Sequence, residues 1–258
     1  SNHNVAVGHA AGTAVTTGTL NTFLGGLAGD ATTVGQRNVA LGYSALGADR
    51  QGSRSVAIGA FALVNQDFGD STNVFNTAVG YDAGVSVTTG VQNTLIGGSA
   101  GDSLTDADYN TAVGYDALAA DTLGSKSTAM GRSALSSQNF TTATDTYNTA
   151  FGYFAGAGIT TGVQNTIVGG LAGDAITVGG ANVAIGYGAL SAEDTGNRNV
   201  AVGNLALAVQ NSHATNNNTA VGYNAGGAVT TGVQNTFVGS EAGDATDDGT
   251  NNVAVGFE

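Results

Sequence analysis

Catalysis needs a nucleophile, a base or a set of metal ligands held in recurring proximity, and this chain supplies few of them. Its three histidines, His3, His9 and His213, share no spacing and no recurring partner, and no cysteine is present to act as nucleophile or soft metal ligand. A hydrolytic site sets a base beside a nucleophile in a shielded pocket. No such pairing is legible, so the chain is expected to be no enzyme and to use no cofactor.

Two residue types do recur. Asp30, Asp102, Asp174 and Asp244 stand at equivalent places, but on a stacked β architecture they would lie roughly 19 Å apart. They cannot share an ion. Local oxygens from Asp106 with Asp108, or Asp247 with Asp248, would be needed to complete a calcium site. Capping of turns by aspartate accounts for the column more simply, so no metal is expected. Tyr43, Tyr81, Tyr115, Tyr153, Tyr187 and Tyr223 also recur. They suit either a sugar-binding strip or a packing ladder at a subunit boundary, and the ladder is the plainer expectation.

What positions these residues is a repeat that runs through the chain. Pentapeptides like N-T-A-V-G begin at Asn4, Asn21, Asn38, Ser55, Asn76, Asn93, Asn110, Ser127, Asn148, Asn165, Asn182, Asn199, Asn218, Asn235 and Asn252. Steps between them are 17 residues, apart from two of 21 and one of 19. Position one is Asn, or Ser at Ser55 and Ser127, as expected of amides bonded from coil to coil. Position five is always Gly, as a turn at positive φ or a close backbone approach requires. Position eight is Ala in every complete coil, and position nine reads Gly, Gly, Leu, Leu before starting again. The array therefore has a four-coil super-repeat, with units 4–75, 76–147, 148–217 and a partial 218–258. It is expected to be a single array and a piece of a longer protein.

A 17-residue period is too short for helix pairs and fits one solenoid turn of short strands and tight turns. The prediction is an all-β parallel β-roll, or β-solenoid, of about 15 coils. Position four is apolar throughout and is expected to face inward. Position three then faces the other way; it is mostly Ala but becomes Phe23, Leu95, Ile167 and Phe237 in second coils. Strands apolar on both faces are strands buried on both faces. Hence a homotrimer is expected, with those four residues at the trimer interface; the alternative is a lone solenoid with a mildly apolar outer face.

Composition narrows the partners. Nineteen acidic against six basic residues give a net charge of −13, which disfavours any phosphate backbone, so no nucleic acid is expected. No stretch is apolar and long enough to span a bilayer, so direct membrane insertion is not expected either. The variable extra residues of the fourth coils are candidate receptor-contact loops, because loops on a rigid scaffold commonly carry recognition. Their candidates are Asn65, Gln66, Asp67, Phe68 and Asp70; Gln138, Asn139 and Phe140; and Gln210, Asn211 and His213. Inert bulges are the alternative.

Two stretches carry a family likeness: Asn76 to Asp102, NTAVGYDAGVSVTTGVQNTLIGGSAGD, and Gln138 to Gly152, QNFTTATDTYNTAFG. The repeats resemble the head repeats of trimeric autotransporter adhesins, the YadA-like parallel β-roll. They resemble still more the collagen-free repeat regions of phage and marine viral tail fibres. The coils here are longer than the adhesin repeat. The resemblance implies a left-handed coil and a structural and attachment fibre on a virion surface, or otherwise extracellular or at a cell surface. Its partners would be its own trimer mates and a host cell-surface glycan or protein. The head of a bacterial adhesin is the same-architecture alternative. A less expected one is an ice-binding solenoid, which needs a regular threonine array, whereas the T-T-G pairs come once in four coils.

Overall fold

The computed structural model describes every residue except Ser1, His213 and Ala214. It is all-β, with no helix among the described residues. The strands are β1 (Val5–Val7), β2 (Thr22–Leu24), β3 (Val39–Leu41), β4 (Val56–Ile58), β5 (Thr77–Val79), β6 (Thr94–Ile96), β7 (Thr111–Val113) and β8 (Gly124–Ser125). They continue as β9 (Thr128–Met130), β10 (Thr144–Asp145), β11 (Thr149–Phe151), β12 (Thr166–Val168) and β13 (Val183–Ile185), then β14 (Val200–Val202), β15 (Thr219–Val221), β16 (Thr236–Val238) and β17 (Val253–Val255). Contacts divide the chain into two compact units, Ser1–Ser127 with Phe140–Asp145, and Thr128–Asn139 with Thr146–Glu258.

In the first unit β1 to β7 pair in parallel and in chain order, each coil stacked on the next. In the second unit β9 and β11 to β17 do the same. The chain is thus a parallel β-solenoid of about 15 coils. Register is held across the insertions: Val56 pairs with Thr77 over a 21-residue step as Val5 pairs with Thr22 over 17.

Asparagine fixes that register. The Oδ1 of Asn21 accepts the backbone N–H of Asn38 in the next coil at 2.9 Å, while its Nδ2 donates to the Gly35 carbonyl of its own coil at 2.8 Å. The same pair of bonds recurs at Asn38, Asn93 and Asn110 in the first unit, and at Asn148, Asn165 and Asn182 in the second. The expected coil-to-coil ladder is therefore mainly side chain to backbone, with each of these buried amides satisfied twice. A direct amide-to-amide bond joins Asn165 to Asn148, at 3.3 Å.

The core corrects the expected faces. In nearly every strand the middle residue, position three, is buried and its neighbours at positions two and four are not. Phe23, Leu95 and Ile167 are 0% exposed and Phe237 is 1% exposed inside their own chain, so these four are core residues and offer no surface to a trimer interface. Position four faces outward, not inward. The reason is volume. The lumen of so short a coil admits only Ala at position three unless another wall recedes, and position nine is that wall. A Cβ on Gly29 would lie 2.5 Å from Cε1 of Phe23, and one on Gly101 would lie 2.7 Å from Cδ2 of Leu95. Where position three is Ala in third and fourth coils, position nine is a fully buried Leu: Leu46, Leu63, Leu118, Leu135, Leu190 and Leu207. Position twelve of second coils varies as well, with Thr32 in the coil of Phe23 but Leu104 in the coil of Leu95, where both leucines lie against Gly101. The Gly-Gly-Leu-Leu pattern is volume compensation in a close-packed interior.

Candidate functional site

Three surfaces follow from this fold. The first is the outer face of the strands. Leu24, Ile96, Phe151, Val168, Ile185, Val221 and Val238 are all more than a third exposed, and Leu41, Ile58, Val79, Val113, Met130 and Val202 are partly exposed. Beside this column runs position two, which is only ever Thr or Val. Each unit thus carries an uncovered apolar stripe, one residue per coil, at strand spacing. Isolated exposed apolar residues are ordinary, but a contiguous stripe marks an interaction site.

The second surface comprises the fourth-coil insertions, and here burial divides the expected contact residues. Asn65, Asp70, Asn139 and Asn211 are exposed and Asp67 is half-buried, held by the Arg50 guanidinium 2.8 Å away. Gln66, Gln138 and Gln210 are fully buried, and Phe68 and Phe140 are 7% exposed; these five face the interior and are not receptor contacts. His213 lies outside the described residues. The insertions return to the stack through short parallel pairings, Ser53 with Asn73, β8 with β10, and Asn197 with Thr215.

The buried glutamines belong to a network that the sequence alone did not disclose. At position twelve, apolar in first coils, third coils carry Asp49, Asp121 and Glu193, and fourth coils carry Gln66, Gln138 and Gln210. Asp49 Oδ1 accepts the backbone N–H groups of Gly52 and Phe68, and its Oδ2 accepts from Nε2 of Gln66 at 2.5 Å. The Oε1 of Gln66 in turn accepts from Nδ2 of Asn76 at 2.9 Å. Asn148 donates likewise to Gln138, and in the third set Asn218 donates to Gln210, which donates to Glu193. Burial pushes the Asp49 carboxyl above its usual range, and the bond from Gln66 pulls it partly back. These carboxylates are structural acceptors closed off from solvent.

This network accounts for the serine at Ser55 in the asparagine column. Ser55 stands where most coils carry asparagine and accepts from Nε2 of Gln66 at 3.0 Å. Asn199 keeps the asparagine, and its buried Nδ2 finds no acceptor among the described residues. Asn199→Ser is therefore expected to raise stability, by no more than about 1 kcal/mol, by removing a buried donor that has no acceptor among the described residues. A melting temperature at or below that of the parent protein would contradict this account.

The aspartate column has no ligand geometry. Oδ1 of Asp102 and of Asp174 is buried without a partner among the described residues, and burial raises both carboxyls, joined at Asp102 by the charge of Asp116. Asp106 and Asp108 are engaged between coils, accepting from Thr89 Oγ1 and from the Val91 N–H. Among the described residues no group of three or more His, Asp or Glu side chains is placed to hold a metal ion. A shallow depression in the second unit is lined by Gln164, Ala181, Asn197, Arg198 and Thr215 and holds no base beside a nucleophile.

The third surface is the tyrosine row. All six tyrosines at position six are between 52% and 60% exposed, so none is a core residue. In the first unit Phe61 sits edge-on between Tyr43 and Tyr81, with ring centroids 5.5 and 6.2 Å away. In the second, the Arg132 guanidinium lies over both Tyr153 and Phe154.

No helix among the described residues is long and apolar enough to cross a membrane. No known protein family, curated protein or solved structure matches the chain.

Proposed function

We propose that this chain is a structural and attachment segment of a virion fibre, of the tail-fibre type, that works as a homotrimer outside the cell. The single observation behind this reading is the outward stripe of position four. A stacked solenoid already satisfies its backbone and fills its own lumen, so a further apolar column serves contact with another molecule. A second and third copy fit best, because identical chains bring identical columns at the same coil spacing and can pair along their length. Position two agrees with this. It is Thr or the isosteric Val in every coil, which preserves the shape of the face whether or not a hydroxyl is present. The insertions expose Asn65, Asp70, Asn139 and Asn211 on the surface that would meet a host.

Light scattering tests the reading directly. The expected mass is three times that of the 25.2 kDa chain. Ile96→Asp combined with Ile185→Asp places one charge in the stripe of each unit, at side chains 39% and 37% exposed. That variant is expected to fold and to dissociate to single chains, because burying an unpaired carboxylate in an interface is strongly unfavourable. A single-chain mass for the parent protein, or an unchanged mass for the variant, would refute the proposal.

A further inference from the structure

The tyrosine row has a periodicity that packing within the chain does not demand. Tyr43, Tyr81 and Tyr115 in the first unit, and Tyr153, Tyr187 and Tyr223 in the second, occur in alternate coils. Within each unit they are therefore spaced by twice the strand separation, about 10 Å. The coil preceding a third-coil tyrosine carries glycine at the same position. A Cβ on Gly26 would lie 3.4 Å from Cδ2 of Tyr43, and one on Gly98 would lie 3.5 Å from Cδ2 of Tyr115. The third-coil rings rest against these gaps, and about half of the surface of every tyrosine in the row is exposed. In the first unit each tyrosine is followed by a partly exposed polar residue, Ser44, Asp82 or Asp116.

We infer that this row binds an extended, neutral polysaccharide of β-1,4-linked pyranoses; this deepens the attachment reading above and rests on it. In such a chain alternate sugars present the same face, and the disaccharide repeat matches the spacing of the tyrosines, so each ring meets every second sugar. The C–H face of a pyranose stacks on the aromatic ring, and the phenol oxygen lies at the rim to bond its hydroxyls. Ser44, Asp82 and Asp116 add further hydroxyl partners beside each platform. Charge selects among polymers of this geometry. With a net charge of −13 the protein repels uronate and sulfated chains.

The test is electrophoresis of the intact protein through gels containing hydroxyethyl cellulose, alginate or dextran, with light scattering on the same samples. Retardation is expected in hydroxyethyl cellulose alone. The combined variant Tyr81→Ala and Tyr115→Ala is expected to bind about tenfold or more weakly, from the loss of two stacking platforms, with its melting temperature and oligomeric mass unchanged. An unretarded parent protein, a variant that binds as well as the parent, or retardation by alginate equal to that by hydroxyethyl cellulose overturns the inference. So does a variant that loses its oligomeric mass, since the row would then be a contact between copies. An unretarded protein of trimeric mass defeats only the polysaccharide assignment, whereas a single-chain mass defeats the fibre reading on separate grounds.

Discussion

Gly97→Val is expected to destabilise the solenoid by about 3 kcal/mol or more. Gly97 sits at φ +134°, and a Cβ built on it would lie 2.4 Å from the Gly114 carbonyl oxygen and 2.6 Å from its carbon. The obstacle is backbone of the next coil, which cannot rotate aside as a side chain can. Relief requires the coils to separate, and that breaks the ladder in which the Gly114 N–H donates to the Ile96 carbonyl at 2.7 Å. Because the first carbon already collides, Gly97→Ala should be nearly as harmful as Gly97→Val. That near-equality distinguishes a backbone approach from a mere shortage of side-chain space. Gly69 in the first insertion is the control: it is exposed, and the nearest atom to a Cβ there is the Arg50 Nη2 at 3.9 Å. Gly69→Val should change stability by no more than about 0.5 kcal/mol. Equal melting temperatures for the Gly97 and Gly69 variants would show that the close approach imposes no constraint.

The coil, its period and its register were legible because they rest on columns whose residue types admit few explanations. Gly97 and its equivalents need positive φ and a bare Cα, Asn21 and its equivalents need an amide, and Ala at position eight needs smallness. The direction of each strand residue was not legible from hydropathy. Ala40 and Leu41 are both apolar, and with strands of three residues a pattern of alternation has no length over which to declare itself. Size compensation was the signal that could have decided it. Phe23 occurs where Gly12 and Gly29 stand at position nine, and Ala40 and Ala57 occur where Leu46 and Leu63 do, as expected of residues sharing one lumen. The corner conformations were hidden for another reason. Leu27, Arg37 and Leu46 all adopt left-handed backbone, at φ 59°, 57° and 53°, although local preference favours glycine or asparagine there. Hydrogen bonds between stacked coils, such as Leu46 N–H to the Ala62 carbonyl at 3.0 Å, override that preference.

Gln66 is the residue whose surroundings most changed its expected role, from a surface contact to the centre of a buried chain of donors, and Gln66→Leu tests that role. The polarity of the chain is fixed at both ends. Asn76 also donates to the Gly90 carbonyl and can only donate to Gln66, while ionised Asp49 can only accept. An amide, with one acceptor and one donor end, joins them without conflict. Leucine fills similar volume but leaves the Asp49 carboxylate short of its strongest donor, at a cost of about 2–4 kcal/mol at neutral pH. The deficit should shrink on acidification. Burial already raises the folded-state pKa of Asp49, so the folded protein binds the proton more readily than the unfolded chain. Stability from this group therefore falls as pH rises through that range, and losing Gln66 raises the folded pKa further and steepens the fall. Gln66→Glu sharpens the test. Ionised, it sets two carboxylates together inside the coil; protonated, its O–H can donate to Asp49 and restore the chain. That variant should be the least stable at neutral pH and recover most in mild acid, whereas Asn65→Ala, one residue away on the exposed side, should follow the parent within about 0.5 kcal/mol throughout. Urea melts of the four proteins at the two pH values decide the matter. A Gln66→Leu protein as stable as Asn65→Ala would mean that the Asp49 carboxylate finds another donor, and that the recurrence of Gln138 and Gln210 at the same coil position reflects copying of the unit and not the need to satisfy a buried acid.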